Sequence, residues 1–213
     1  MIGIYLLSEI AKRCEGELIG DDVEITEFST DTRTMAAGDA FIALKGKNFD
    51  GNDLAVGAVK NGAVAVVVSR KMSVNLPMLY VDDALRALAT ISLITRERSS
   101  AKVIGITGSQ GKTTVKEMVG SILSRVGTTL ITPKNQNNTV GVPLTLLNLK
   151  RLHEYVVIEM GADRHGEIKF SAETAKPEIV LITNANEAHV DGFGSLSGIV
   201  KAKGEIIDAA PAS

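Results

Sequence analysis

The apolar run Val103-Ile104-Gly105-Ile106 leads directly into Thr107-Gly108-Ser109-Gln110-Gly111-Lys112-Thr113-Thr114, and no other stretch constrains the fold so tightly. A strand that ends in a glycine-rich turn and opens a helix aims several backbone N–H groups, with the positive end of the helix dipole, at one spot. That arrangement suits a polyphosphate. The common pattern G-x-x-x-x-G-K-[ST] would place glycine where Ile106 stands; here the fixed elements are Thr107, Gly108, Gly111, Lys112 and Thr113. The stretch predicts a nucleoside triphosphate site in which Gly108, Ser109, Gln110, Gly111, Lys112, Thr113 and Thr114 touch the nucleotide. Lys112 reaches back to the β- and γ-phosphates, and the Thr113 hydroxyl is placed to ligate magnesium. An ordinary Gly/Ser turn is the alternative.

From Val103 onward, β-branched runs alternate with helical stretches: 103–107, helix 112–126, 129–132, helix 140–148, 155–160, helix 166–175 and 179–184. Strands buried on both faces and spaced by helices predict a parallel, doubly wound sheet. Residues 1–98 read as a smaller α/β unit, with helix 7–14, strands near 23–28 and 39–44, helix 52–61, strands 63–68 and 78–81, and helix 83–98. Arg96 to Lys102 reads as the linker. The expected fold is therefore α/β, with a small N-terminal domain at 1–98 and a phosphate-loop ATPase domain at 99–213.

A chain of 213 residues, 45% hydrophobic and 23% charged, can bury two cores of this size. A net charge of −2 without a basic block argues against nucleic acid as a partner. No apolar stretch approaches the ~20 residues that cross a bilayer, and no signal-type segment opens the chain. These features predict a cytoplasmic protein. Cys14, the one cysteine, shares a helix face with Ile10 and Ala11 and reads as a core thiol.

In doubly wound sheets ligands sit at the carboxyl ends of the strands, and the polar clusters 107–114, 159–167 and 184–191 all fall there. Glu159, ending the strand YVVIEM, is a candidate magnesium ligand, or else a helix N-cap or a solvated strand end. His189 is a candidate for the same centre; His165, in GADRHGEI, is a candidate substrate contact at even odds with a surface turn; His153 is assigned nothing. The amides of TPKNQNNTVGVP suit neutral and anionic ligand groups, with Asn135 and Asn138 assigned to the nucleotide and Asn137 to the substrate, although Asn is also a common turn and cap residue.

Taken together, TGSQGKTTVKEM, NQNNTVGVPLTLLNL, VIEMGADRHGEI, NEAHVDGFGSL and KAKGEI resemble the Mur ligase family, and STDTRTMAAGDAFIALKGKNFDGNDLAVGAVKNGAVAVVV resembles its uridine-nucleotide-binding domain. The resemblance implies an ATP-dependent amide ligase of peptidoglycan precursor synthesis. ATP phosphorylates the terminal carboxylate of UDP-MurNAc-tripeptide, and the amine of D-Ala-D-Ala attacks the acyl phosphate. It further implies two magnesium ions, one through Thr113 and Glu159 and a second through His189 and Lys203, with Lys203 carbamylated. Lys112, His189 and Lys203 would carry catalysis. Ser29, Thr30, Asp31 and Arg33 would meet the uridine diphosphate, with Lys45 and 48–52 a second edge. The family's third domain is expected to be absent and the central one incomplete, so that the 213-residue chain would be an inactive, monomeric portion of a ligase. A sibling ligase of the folylpolyglutamate type and a non-catalytic nucleotide-binding module are the alternatives.

Overall fold

The computed structural model describes residues 2–186 and 190–210, with the side chains of Val190 and Asp191 outside that description. The chain divides into two compact units, Met1–Ile91 and Ser92–Ser213.

The first unit contains β1 (Tyr5–Leu6), α1 (Leu7–Cys14), β2 (Glu17–Ile19), β3 (Glu24–Ile25), β4 (Phe28–Ser29), β5 (Ala40–Ile42), a 3-10 turn (Gly51–Leu54), α2 (Ala55–Lys60), β6 (Ala65–Val68) and β7 (Met78–Tyr80). Its main sheet runs β2-β7-β6-β5-β4. All neighbours pair in parallel except β2 with β7, which is antiparallel. β1 and β3 pair separately. β5 and β6 are buried at every position, as strands covered on both faces must be. Phe41, Val66, Val68 and Met78 form one core with Ala55 and Ala58 of α2.

Helix α3 (Ala84–Glu97) carries the boundary between the units. The second unit then follows the order β8 (Lys102–Thr107), α4 (Lys112–Leu123), β9 (Thr129–Ile131), α5 (Gly141–Leu147), β10 (Tyr155–Glu159), α6 (Glu167–Ala175), β11 (Ile179–Ile182), α7 (Val190–Phe193) and α8 (Leu196–Asp208). The sheet order is β11-β8-β10-β9, parallel throughout. Ile104 and Ile106 of β8 pack with Val115, Val119 and Leu123 of α4 on one face. On the other, a Cβ at Gly105 would touch Pro177 and Ile206 of α8. Helices therefore cover both faces, and the doubly wound α/β architecture expected from the sequence is present.

The differences from the sequence reading are local. α4 ends at Leu123 instead of 126, and 124–127 turn instead. The stretch 96–102 is not a free linker: Arg96 and Glu97 belong to α3, Lys102 opens β8, and the Arg96 guanidinium bonds the Ala175 carbonyl and Glu178. Cys14 is only half-buried, yet burial pushes its thiol up to about 11, so it is no ready thiolate. Among the described residues no helix is long and apolar enough to cross a membrane.

Candidate functional site

Because all four strands of the second unit run in parallel, Thr107, Ile131, Glu159 and Ile182 end at one edge, and the loops that follow them face a common space. The turn after β8 takes glycine at two positions. Gly108 has φ +148° and lies so close to Thr183 that a Cβ would collide with its Oγ1; Gly111 caps α4 with φ +75°. The β11 end braces this turn: Thr183 Oγ1 donates to the Gln110 carbonyl at 2.6 Å, and the Gln110 N–H donates to Asn184 Oδ1 at 3.0 Å. Ser109 exchanges hydrogen bonds with the Asn186 backbone.

Lys112 folds back over the loop, as its position predicts. Its ammonium donates to the Gly108 and Ser109 carbonyls at 2.7 and 3.3 Å, and burial lowers its pKa. Thr113 Oγ1 donates to Glu159 Oε1 at 3.2 Å, and Asn137 Nδ2 donates to the same oxygen at 2.7 Å. Glu159 is 1% exposed, and its Oε2 has no hydrogen-bond partner. It is neither a solvated strand end nor a helix cap.

Those observations fit a magnesium ion. Mg2+ takes oxygens at ~2.0–2.1 Å in octahedral geometry, which sets neighbouring ligand oxygens about 2.9 Å apart and keeps several waters. Thr113 Oγ1 and Glu159 Oε1 are 3.2 Å apart, and Oε2 of the same carboxylate, buried without a donor, is an acceptor that a cation at this carboxylate would satisfy. Among the described residues no group of three or more His, Cys, Asp or Glu could hold a metal by itself.

A cavity of about 310 Å3 opens in front of this group, lined by Gly108, Ser109, Lys112, Asn135, Asn137 and Asn138 on one side and by Gly161, Ala162, Asp163, Glu167 and Lys203 on the other. The structure thus brings the turn, the amide loop and KAKGEI together. Lys203 is 3% exposed, with its ammonium 5.4 Å from the Phe193 ring centre. Burial first, and then the Lys112 charge, lower its pKa, against the opposing pull of Asp163, Glu205 and Glu167.

The remaining candidates are placed differently. Asn138 is committed locally, its Oδ1 accepting the Val140 and Gly141 N–H groups ahead of α5. His165 is exposed and packs edge-on against Phe193, outside the lining of the cavity. His153 accepts the Lys150 N–H within its own turn. His189 lies outside the described residues.

In the first unit, Ser29 ends β4, Thr30, Asp31 and Arg33 follow it, and Lys45 follows β5, at the same carboxyl edge of parallel strands. Arg33 donates Nε and one terminal nitrogen to Asp31, the latter at 2.6 Å, and its side chain is 85% exposed. That bonding holds the Asp31 carboxyl down at about 2. Asn52, at the end of the second edge, is a buried brace: its amide joins Asp50 to Ser69.

Sequence reasoning passed over three residues. Lys116 is fully buried although it is charged, and the signal was its place between Val115 and Val119 on the apolar face of α4. Thr132 links β9 to Glu159, its Oγ1 accepting the Glu159 N–H at 2.9 Å. Glu205 of α8 accepts the Gly166 and Lys169 N–H groups at the start of α6, and an i+2 step from Lys203 carried no hint of that.

Comparison with known proteins adds an independent line. The family described as "Mur ligase middle domain" matches residues 106–213, and "Mur ligase family, catalytic domain" matches residues 24–119. A UDP-N-acetylmuramoyl-tripeptide–D-alanyl-D-alanine ligase of Escherichia coli is 45% identical over 205 residues, which is 96% of this chain and 45% of that protein. The crystal structure of MurF from Acinetobacter baumannii superposes with a TM-score of 0.93 at 38% identity, covering 98% of this chain and 47% of the other. MurF from Thermotoga maritima in complex with ADP gives 0.82 at 35% identity, covering 86% and 43%. The chain spans somewhat under half the length of these relatives.

Proposed function

The chain belongs to the Mur ligase family, and from that premise we propose that it forms the UDP-substrate and ATP-binding parts of a ligase that joins D-Ala-D-Ala to UDP-MurNAc-tripeptide. The observation that carries this reading is the convergence of Thr113 and Asn137 on the buried Glu159, beside a glycine turn closed by Lys112. Residues 1–98 take the uridine diphosphate, with Arg33 as the phosphate contact, and 99–213 take ATP.

A carboxylate is a poor electrophile, since attack would have to expel an oxide. Transfer of the γ-phosphoryl group from ATP to a substrate carboxylate oxygen releases ADP and gives an acyl phosphate. The dipeptide amine then attacks the carbonyl carbon, inorganic phosphate departs, and the amine gives up a proton. Bringing an anionic carboxylate to ATP requires positive charge in the cleft. Lys112 supplies it by exchanging its two loop carbonyls for the β- and γ-phosphates, while the N–H groups at the start of α4 hold phosphate oxygens. Thr113 and Glu159 would hold a magnesium ion, which when bound would add charge neutralisation at the phosphates. Asn137 orients the Glu159 carboxylate, and Asn135 faces the same cavity as a nucleotide contact. The second magnesium site, on His189 and a carbamylated Lys203, belongs to the same proposal. Carbamylation needs the neutral amine, which the burial of Lys203 and the nearby Lys112 charge both favour.

The test is a chimera in which this chain replaces the matching part of the Escherichia coli relative. Supplied with ATP, magnesium, UDP-MurNAc-tripeptide and D-Ala-D-Ala, it should form the UDP-linked pentapeptide, seen by mass spectrometry. Lys112→Ala in the chimera should abolish product. A folded chimera that makes no pentapeptide would defeat the reading.

A further inference from the structure

A fully buried lysine is expensive, because its ammonium leaves water and must be met entirely by protein groups. Lys116, one turn beyond Lys112 on α4, is such a residue, with its side chain 0% exposed. Its Nζ donates to the Thr132 carbonyl at 3.0 Å and to the Lys134 carbonyl at 3.4 Å, and it pairs with Glu117 Oε1 at 2.9 Å. Two of these contacts are hydrogen bonds to carbonyls and the third is an ion pair, while Glu159 Oε2, at 3.8 Å, meets the charge without a hydrogen bond.

The partners are arranged to one end. Thr132 stands where β9 runs into the amide loop, and its hydroxyl accepts the Glu159 N–H at 2.9 Å while donating to the Val157 carbonyl at 3.2 Å. Two residues on, Lys134 has φ +50°, a left-handed turn that a lysine adopts only when something holds it. The loop that leaves this turn brings back Asn137, which donates to Glu159 Oε1. Lys116 is thus bonded to the segment that fixes the Glu159 backbone, to the turn that aims Asn137 at its carboxylate, and by charge to the carboxylate itself. A stabilising core residue would have no reason to be charged here, since an apolar side chain of similar length would fill the same space at lower cost.

We propose that Lys116 is a positioning residue for the magnesium carboxylate, holding Glu159 and the Pro133–Asn138 loop in the register that lets the ion bind beside the phosphate turn. It touches neither nucleotide nor reacting atoms. The inference rests on the reading of residues 99–213 as a magnesium–nucleotide site, and it names a residue that this reading does not itself require.

The experiment is calorimetric titration of the 213-residue chain with ADP, with magnesium and with EDTA, for the unaltered protein and for Lys116→Met. Groups that orient a metal ligand typically govern about 10–100-fold in metal affinity, so the gain in ADP affinity on adding magnesium should fall by about that factor. Binding in EDTA, carried by Lys112 and the turn, should stay within about threefold. A merely structural role would weaken both conditions alike, and that result would overturn the proposal, as would an undiminished magnesium gain. Lys116→Gln leaves a neutral donor in the same place and serves if Lys116→Met does not fold; it too should lose the magnesium gain selectively, and a normal magnesium gain in it would overturn the proposal. No ADP binding by the unaltered chain would instead defeat the nucleotide reading, and this inference with it.

Discussion

Glu159 sits where water cannot solvate its carboxylate, and its two oxygens are treated unequally: Oε1 receives two hydrogen bonds, while Oε2 receives none. A buried acceptor left unmatched costs about 1–3 kcal/mol, which the fold tolerates where a ligand later supplies the partner. Glu159→Gln keeps the shape and removes the charge. It should leave the melting temperature near that of the unaltered protein while abolishing the magnesium-dependent gain in ADP affinity; a gain that survives would remove Glu159 from the metal site. In the first unit the Asp31–Arg33 pair makes a prediction with a definite sign. Asp31 is depressed from 3.8 to about 2, chiefly by the Arg33 side-chain hydrogen bonds. The pair's contribution to stability is therefore complete above 3.8 and is lost as pH falls through about 2. Arg33→Ala should return the Asp31 titration, followed by carbon NMR, toward its ordinary value, and an unmoved titration would show that the pair does not persist in solution. The residues behind Glu159 are those for which the sequence said least. Nothing in Thr132 marks a link to Glu159, because that contact exists only once β9 and β10 are side by side. Lys116 was readable in principle, but a lone lysine on a helix reads as solvated.

At the scale of elements, β8, the turn and α4 were legible because one local sequence specifies all three: a β-branched run, two glycines with positive φ, and an apolar face at helical spacing. The two- and three-residue strands β1 and β2 were not, since so few residues show no period and their pairing partners lie far along the chain. The two glycines differ physically, and that difference can be measured. Gly111 has open space where a Cβ would stand, so Gly111→Ala should cost only the left-handed backbone term, about 1–2 kcal/mol. At Gly108 the same change adds a collision with Thr183 Oγ1, which is held by its own bond to Gln110. Gly108→Ala should therefore destabilise more than Gly111→Ala in urea titrations and, unlike it, should displace the β11 brace. Equal losses would mean that the turn relaxes freely and that the Thr183 contact does not hold its shape.

At the scale of the molecule, the two units have separate sheets and separate apolar cores, one built on β5–β7 with α2 and the other on β8–β11 with α4 and α8. The alternation of buried strands and helices made both visible in the sequence. The boundary was harder to place, because it falls between Ile91 and Ser92 inside the unbroken helix α3, where no glycine, proline or polar run marks it. Ligand sites assigned to different units should behave as independent changes, whose free energies add within about 0.3–0.5 kcal/mol when no partner is shared. Arg33→Ala should weaken the binding of UDP and leave magnesium–ADP binding at its original affinity. Lys112→Ala should do the reverse, and the double variant should show both losses undiminished when each ligand is titrated in turn. The outcome is sensitive because Arg33 and Lys112 are both phosphate-binding cations by assignment, and each could in principle take either nucleotide. If Lys112→Ala also removed UDP binding, the uridine diphosphate would have to be held at the glycine turn, and the assignment of Ser29 to Arg33 as its contact would fall.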